Sequence, residues 1–482
     1  MNRRLDRVPR AARRVHSGIL VILLAMLGIT LTSTPAAAAP RLGVSSLEEA
    51  AVAAYTYTYP LVSMEVTRRQ NTNVPVPISA IGIAPTNQLG SKDNLPDASF
   101  KGVVRTNVDT LYTSMLYDVA AEPIVISVPD MGDRYHVFSI MDMWTDTTAA
   151  PGSRTVGDGK AYRFAIVGPN WKGTLPAGIR EYRMATDTGW MIGRIQVNGP
   201  NDIPAVQGLQ RQLSAVPLSS LGRPYIPLPN TDLHPDWPRN VKVGDYIAAL
   251  SPQEYWDLYY EARSHTQTRP ADRELLADLA RYGWSPNRRL DLNSLSAADR
   301  AVWTKAWPET RGRLDFANTT PQVNGWRTPV ESIGAYGTDY LARAVTAARL
   351  LGANLPEDAV YAMSETTGDG RPLRADKDYV LHFDKDQVPD VRAFWSLTLY
   401  DEQGYLAANP INRYAVRGER LRTNPDGSID IYIQRENPGP AKESNWLPMP
   451  ADGQASLVLR LYWPSEQIVD GNWNPPAVTR VG

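Results

Sequence analysis

What limits this chain most is that it resembles itself. Arg154-Thr155-Val156-Gly157-Asp158-Gly159 returns as Arg422-Thr423-Asn424-Pro425-Asp426-Gly427, each followed by a strand-like run, 162–167 and 429–434. Further on, Gly168-Pro169 with Asn170-Trp171 parallels Gly439-Pro440 with Asn445-Trp446, and Leu175-Pro176 parallels Leu447-Pro448. Met191-Ile192-Gly193-Arg194-Ile195 parallels Leu457-Val458-Leu459-Arg460-Leu461, and upstream Val128-Pro129-Asp130 parallels Val388-Pro389-Asp390. A single Asp-Gly turn recurs by chance in any β protein. Matches kept in one order imply two copies of one module, at 103–212 and 376–482. Arg194 and Arg460 should then occupy the same strand of each copy and point the same way, since a slip of one residue reverses every face.

Within each copy the apolar residues alternate. Ile429, Ile431 and Ile433 interleave with Asp430, Tyr432 and Gln434, and Tyr162, Phe164 and Ile166 with Arg163 and Ala165. This is the period of half-buried antiparallel strands. Gly159 and Gly427 can supply the positive φ of tight connections. The expected fold class is mainly β with α: tandem β-sandwich, jelly-roll-like modules plus a helical segment. Residues 39–102 are expected as an N-terminal helix and loops, with the helix over 46–59 ending at Pro60, and 213–375 as a helix-rich connection. There Ser251-Pro252-Gln253-Glu254 carries an N-cap, a first-turn proline and a capping-box glutamate, opening a helix to about Arg263. Further helices are expected over 271–282, 297–305 and 336–351.

Arg3, Arg4, Arg7, Arg10, Arg13 and Arg14 precede an apolar run from Ile19 to Leu31, and an Ala36-x-Ala38 site follows. This is the pattern of a secretory signal peptide over 1–38, cut after Ala38. An uncleaved anchor is the alternative, but the run is shorter than the roughly 20 residues of a spanning helix. The expected location is therefore secreted, periplasmic or cell envelope, with no stable membrane span after cleavage. The chain has no cysteine, which excludes thiol catalysis and cysteine-held metals. It lacks a basic stripe, which argues against nucleic acid. Thirteen Trp and 23 Tyr against 6 Phe favour amphipathic aromatics, most of them packed with their polar tips satisfied.

Several runs are similar to a known pair of domains. Asn107-Val108-Asp109-Thr110-Leu111-Tyr112, Arg134-Tyr135, Arg154-Thr155-Val156-Gly157 and Gly168-Pro169-Asn170-Trp171 resemble the domain of unknown function numbered 1254. Phe394-Trp395-Ser396-Leu397-Thr398, Asn409-Pro410-Ile411-Asn412-Arg413-Tyr414, Asn424-Pro425-Asp426-Gly427-Ser428, Asn445-Trp446-Leu447-Pro448 and Leu459-Arg460-Leu461-Tyr462 resemble the domain numbered 1214. The resemblance implies tandem β-sandwiches plus a helical part, in proteins often exported by bacteria. It implies no established reaction.

Beyond the leader the histidines are His136, His234, His265 and His382, none paired at helical ligand spacing, and neither H-E-x-x-H, G-x-S-x-G nor a Gly-rich phosphate loop occurs. The expectation is no metal and no cofactor. The densest polar run is Arg105-Thr106-Asn107-Val108-Asp109-Thr110-Leu111-Tyr112. If it is extended, Arg105, Asn107 and Asp109 share one face. Asp109 and Tyr112 are then the candidate catalytic residues, and Arg105, Asn107, Arg134 and Trp144 the candidate ligand-binding residues. A buried network holding the sheet in place is the competing reading of the same cluster. Arg194 and Arg460, present in both copies, read as structural, whereas Arg105-Asn107-Asp109 has no evident counterpart before Phe394. Two functions follow as expectations. One is binding, with possible transformation by a cofactor-independent hydrolase or lyase, of a small polar or amphipathic molecule. The other is a non-catalytic envelope protein that binds glycan through residues such as Trp144.

Overall fold

The structure is a computed structural model and describes residues 42–264 and 266–481. The expected signal peptide and its cleavage site lie outside these residues, as does His265. The fold is mainly β with a helical layer. The first module has eight strands: β1 (Thr110–Asp118), β2 (Ile124–Val128), β3 (His136–Asp142), β4 (Thr147–Ala149), β5 (Tyr162–Val167), β6 (Ile179–Arg183), β7 (Thr188–Gln196) and β8 (Ser214–Pro217). The second repeats them as β9 (Ala359–Ser364), β10 (Asp378–Phe383), β11 (Val391–Asp401), β12 (Ala415–Arg417), β13 (Ile429–Gln434), β14 (Trp446–Pro448), β15 (Ala455–Pro464) and β16 (Val478–Val481).

The sheet orders are β1-β7-β3-β4 with β6-β5-β2-β8 in the first module, and β9-β15-β11-β12 with β14-β13-β10-β16 in the second. Short strands extend the larger sheets beyond β1 and β9. Even the one parallel pair recurs, β5 with β6 and β13 with β14. In each module the two sheets pack face to face. Phe138, Phe164 and Ile195 meet in the first core, and Leu381, Leu397, Ile431 and Leu459 in the second. Each such side chain contributes about 1.5–3 kcal/mol when fully buried.

Register carries the repeat to single residues. Arg194 faces Tyr112 across β1 and β7, and Arg460 faces Tyr361 across β9 and β15. Their strand neighbours Ile195 and Leu461 fill the sandwich cores, so both arginines point away from their own core. The Asp158-Gly159 and Asp426-Gly427 turns also correspond, opening β5 and β13 with Gly159 at φ 65° and Gly427 at φ 90°. One match is looser: Trp446 begins β14, whereas Trp171 lies in the loop ahead of β6. The segment 213–375, read from the sequence as helical, also holds β8 and β9.

The helical layer is built around α1 (Leu47–Thr72), and packed against it are α3 (Val243–Ala249), α4 (Pro252–Arg263), α5 (Arg273–Arg281), α6 (Ala297–Arg313) and α7 (Tyr340–Arg349); α2 (Ile203–Gln210) belongs to the first sandwich. Helix α1 runs through Pro60 instead of ending there, and α6 likewise runs through Pro308. An interior proline costs about 3 kcal/mol or more. For α1 that cost is offset by burial on nearly every side, from Ala50 through Thr67. The α4 capping box is present as expected: the Glu254 N–H donates to Ser251 Oγ at 3.3 Å and the Ser251 N–H to Glu254 Oε2 at 2.7 Å. Helix α7 starts later than expected because Asp339 caps it, accepting from the Ala342 N–H. Among the described residues no helix is long and apolar enough to cross a membrane.

Candidate functional site

The Arg105–Tyr112 run is not extended throughout. Arg105 sits in the left-handed region at φ 51°, and β1 begins only at Thr110. The single-face arrangement expected from alternation therefore does not form. Asn107 folds back so that its carbonyl accepts from the N–H groups of Asp109 and Thr110 at 2.7 and 3.2 Å, while its amide donates to the Tyr462 hydroxyl at 2.8 Å. Asp109, 1% exposed, accepts from Ser396 Oγ at 2.6 Å and Tyr462 OH at 3.1 Å. Both donors belong to the second sandwich. Arg105 pairs with Glu365, and Arg134 forms a bidentate pair with Asp202 at 2.5 and 2.9 Å. The Tyr112 hydroxyl accepts from Arg194 Nε at 3.4 Å. Trp144 is fully buried in the helical core, donating Nε1–H to the Gln267 carbonyl at 3.0 Å, so it offers no face to a glycan.

Arg105, Asn107 and Asp109 tie the first module to the second, whereas Arg134 and Tyr112 bond within the first module; the ties between the modules are reciprocal. Arg460 donates to the Arg105 carbonyl at 2.8 Å and to Thr398 Oγ1 at 2.9 Å. Arg194 donates to Asn354 Oδ1 at 2.6 Å and to the Gly352 carbonyl. Each buried arginine thus holds the lead-in to the other module's first strand. Asp109 does have a counterpart: Asp358 precedes Tyr361 by three residues, as Asp109 precedes Tyr112. Asp358 accepts from Arg154 Nε and Nη2 at 2.8 Å each, and its carbonyl accepts from the Tyr135 hydroxyl at 2.7 Å. Burial pushes the Asp358 carboxyl up, and Arg154 opposes that. The counterpart was hidden because β9 lies upstream of the residues that carry the sequence match.

A second polar cluster lies where the first sandwich meets the helical layer. The turn from β3 to β4 is nucleated by Asp142, whose Oδ1 accepts the N–H groups of Trp144 and Asp146 at 2.9 and 3.0 Å. Thr145 sits at φ 68°, an uncommon conformation for a β-branched residue. Around it, Asp146 accepts from Arg269 at 2.5 Å and Arg343 at 3.1 Å, and Asp272 accepts the hydroxyls of Tyr57 and Tyr340 at 3.2 Å each. Burial, reinforced by the charge of Asp146, pushes the Asp142 carboxyl up to about 8. Asp146 and Asp272 are also raised by burial, with Arg269 opposing. Arg343 is 1% exposed and lies over the rings of Tyr336 and Tyr340, yet its Nε and Nη1 have no hydrogen-bond partner among the described residues, nor do the buried hydroxyls of Thr145 and Thr147. Orphaned buried donors of this kind are rare in folded proteins.

A loop, 331–339, covers the cluster. The Gly334 carbonyl accepts the Thr147 N–H at 2.6 Å, the Tyr336 N–H donates to Asp146 at 3.2 Å, and the Gly337 carbonyl accepts from Arg343 at 2.9 Å. Ser332, Gly334 and Gly337 all have positive φ. Sequence reasoning named Trp144 in this turn but missed the acids on either side of it. Aligning Asp142–Asp146 with Asp401–Tyr405 would have exposed them, since only the first acid is shared. Among the described residues no group of three or more His, Asp or Glu is placed to hold a metal ion.

No curated protein matches the chain. A crystal structure of the VPA0106 protein from Vibrio parahaemolyticus is similar, with a TM-score of 0.67 at 23% identity over 91% of this chain and 100% of that one. That likeness concerns the fold. A putative uncharacterized protein from Burkholderia cenocepacia gives a TM-score of 0.43 at 14% identity, over 89% of this chain and 87% of that one. Residues 86–217 match the family described as protein of unknown function (DUF1254), and residues 358–466 match protein of unknown function (DUF1214). The first match spans the first sandwich and the second holds most of the second, so the chain is a protein that joins a DUF1254 domain to a DUF1214 domain.

Proposed function

We propose that this is an exported protein that binds, and transforms without a cofactor, a small polar or amphipathic organic molecule in the cluster around Asp142, Asp146 and Arg343. The observation that carries this reading is the pairing of a proton-holding acid with an under-used guanidinium. With its carboxyl pushed up to about 8, Asp142 is mostly neutral at pH 7 and can donate a proton. Arg343 is permanently charged, and its N–H groups without a hydrogen-bond partner can donate to a ligand carboxylate or polarised carbonyl oxygen. The ligand enters when the 331–339 loop lifts, with the positive-φ glycines as its hinges. General-acid hydrolysis or elimination is the chemistry such a pair supports. Asp109 and Arg105 act instead as architecture in this reading.

The test is a thermal-shift screen of small carboxylates, hydroxy acids and esters against the wild type, Asp142→Asn and Arg343→Met. A ligand that raises the wild-type melting temperature, loses that effect in Arg343→Met and is turned over by the wild type but not by Asp142→Asn supports the reading. A wild type that none of these molecules shifts removes it. Export is tested separately by mass analysis of protein from the native secretion route, where Ala39 is the expected first residue.

A further inference from the structure

A cavity of about 290 Å³ opens at the far end of α1, away from the acid cluster, between its last turn, the 85–88 loop and the 228–237 strap. Its walls are fixed by backbone ties. The Asn230 N–H donates to the Pro75 carbonyl at 2.9 Å, Gln88 Nε2 to the Leu228 carbonyl at 3.0 Å, and Asn73 exchanges hydrogen bonds with the His234 backbone at 2.6 and 2.9 Å. One wall is a stack: the His234 ring lies 4.0 Å from Trp237 at 14°, and the guanidiniums of Arg68 and Arg69 stand 5.2 and 5.1 Å from the same ring. Glu65 holds both arginines in place, accepting from each at 2.7 Å. The site is thus preformed, which lowers the entropy lost on binding.

The unused polar atoms define what fits. Arg68 spends Nε and Nη2 on Glu65 and keeps Nη1 for other partners. Gln88 keeps its carbonyl, Thr86 its hydroxyl, His234 Nδ1, and Asp232 a carboxylate that is 89% exposed at the rim, 3.6 Å from His234 Nε2. Donors and acceptors therefore both line the cavity, with the Arg68 guanidinium and the Asp232 carboxylate contributing opposite charges. A simple anion would meet Asp232 and a simple cation would meet Arg68. Vicinal hydroxyls, each both donor and acceptor, satisfy planar amide, carboxylate and guanidinium groups together. The volume, at the lower end for small-molecule pockets, leaves room for one ring. We infer that this cavity binds a single pyranose-sized saccharide unit, with Asp232, Arg68 and Gln88 addressing its hydroxyls.

Calorimetric titration of the full chain with the methyl pyranosides of glucose, galactose, mannose and glucuronic acid tests the assignment, with glycerol and acetate as controls. At least one pyranoside should bind with a millimolar or tighter Kd. Asp232→Ala and Thr86→Val should each weaken it about tenfold, the scale of one lost hydrogen bond to a charged or well-placed partner, without moving the melting temperature. Arg343→Met should leave pyranoside binding unchanged, which separates this site from the acid cluster. The inference is overturned if no pyranoside binds, if acetate or glycerol binds as tightly, if both rim variants bind as well as wild type, or if Arg343→Met abolishes binding.

Discussion

The turn that follows the third strand is built alike in the two sandwiches and placed in opposite surroundings. In the first, Asp142 accepts the N–H groups two and four residues on; in the second, Asp401 does the same with Gln403 and Tyr405 at 3.1 and 2.8 Å. The left-handed position between them is Thr145 in one and Gly404, at φ 82°, in the other. Asp401 keeps 23% of its side chain in water, whereas Asp142 is 1% exposed beneath the helical layer. The fourth residue of the first turn's successor set is an acid, Asp146, where the second has Tyr405. A turn needs only the first carboxylate. The second acid, the threonine where glycine is easier and the arginines brought by the helical layer all exceed that need, and they set the first copy apart.

The largest expected effect tests what the copies share. Arg194→Met and Arg460→Met should each destabilise the protein by about 3 kcal/mol or more in urea melts, because buried carbonyls and the Asn354 amide oxygen lose a charged donor. Comparable losses would uphold the reciprocity, and a silent variant at one site would break it.

A difference between the copies should appear in the pH dependence of stability. The Asp142 carboxyl rises from 3.8 to about 8 on folding, so between those values the native state binds more protons than the unfolded one. Wild-type stability should therefore fall as pH rises from about 4 to about 8 through this group. Asp142→Asn should remove that part of the slope, and Asp401→Asn should leave it in place, as read from melts across pH.

Strain at the turn is smaller. Gly404→Thr should cost about 1–2 kcal/mol, since a Cβ there meets Val104 Cβ at 3.2 Å and must adopt positive φ. Thr145→Gly should be neutral or gain up to about 1 kcal/mol; a large loss instead would show that the threonine side chain is anchored. The smallest effect should come from Ser396→Ala, about 1 kcal/mol, because Asp109 keeps its Tyr462 partner. The matching position in the first sandwich is Val137, which already lacks a hydroxyl.

The repeat was legible because alternation and turn residues are local signals, and both copies preserve them around Arg194 and Arg460. The α4 capping box was legible for the same reason. Pro60 misled because the stop it signals is local, while what overrides it is burial of α1 by five other helices. The candidate site was only partly legible. Trp144 marked the right turn for the wrong reason, and Asp109 looked chemically equipped while its partners, Ser396 and Tyr462, lay 287 and 353 residues away. Arg269 and Asp272, three residues apart ahead of α5, and Arg343 on α7 come from two separate stretches of the helical layer, and nothing in their own neighbourhoods distinguishes them from surface charges.

The crossed arginines also order events in time. Arg460 lies 355 residues beyond the Arg105 carbonyl that it binds, and Arg194 waits for Asn354, 160 residues later. A chain emerging from its N-terminus can therefore assemble the first sandwich's own core early, but the lead-in to β1 meets its first second-module partner only at Glu365 and its buried arginine only once β15 has been made. Contacts of such sequence separation form slowly. The first half should remain open and protease-sensitive throughout synthesis, and the whole should lock in one late, cooperative step.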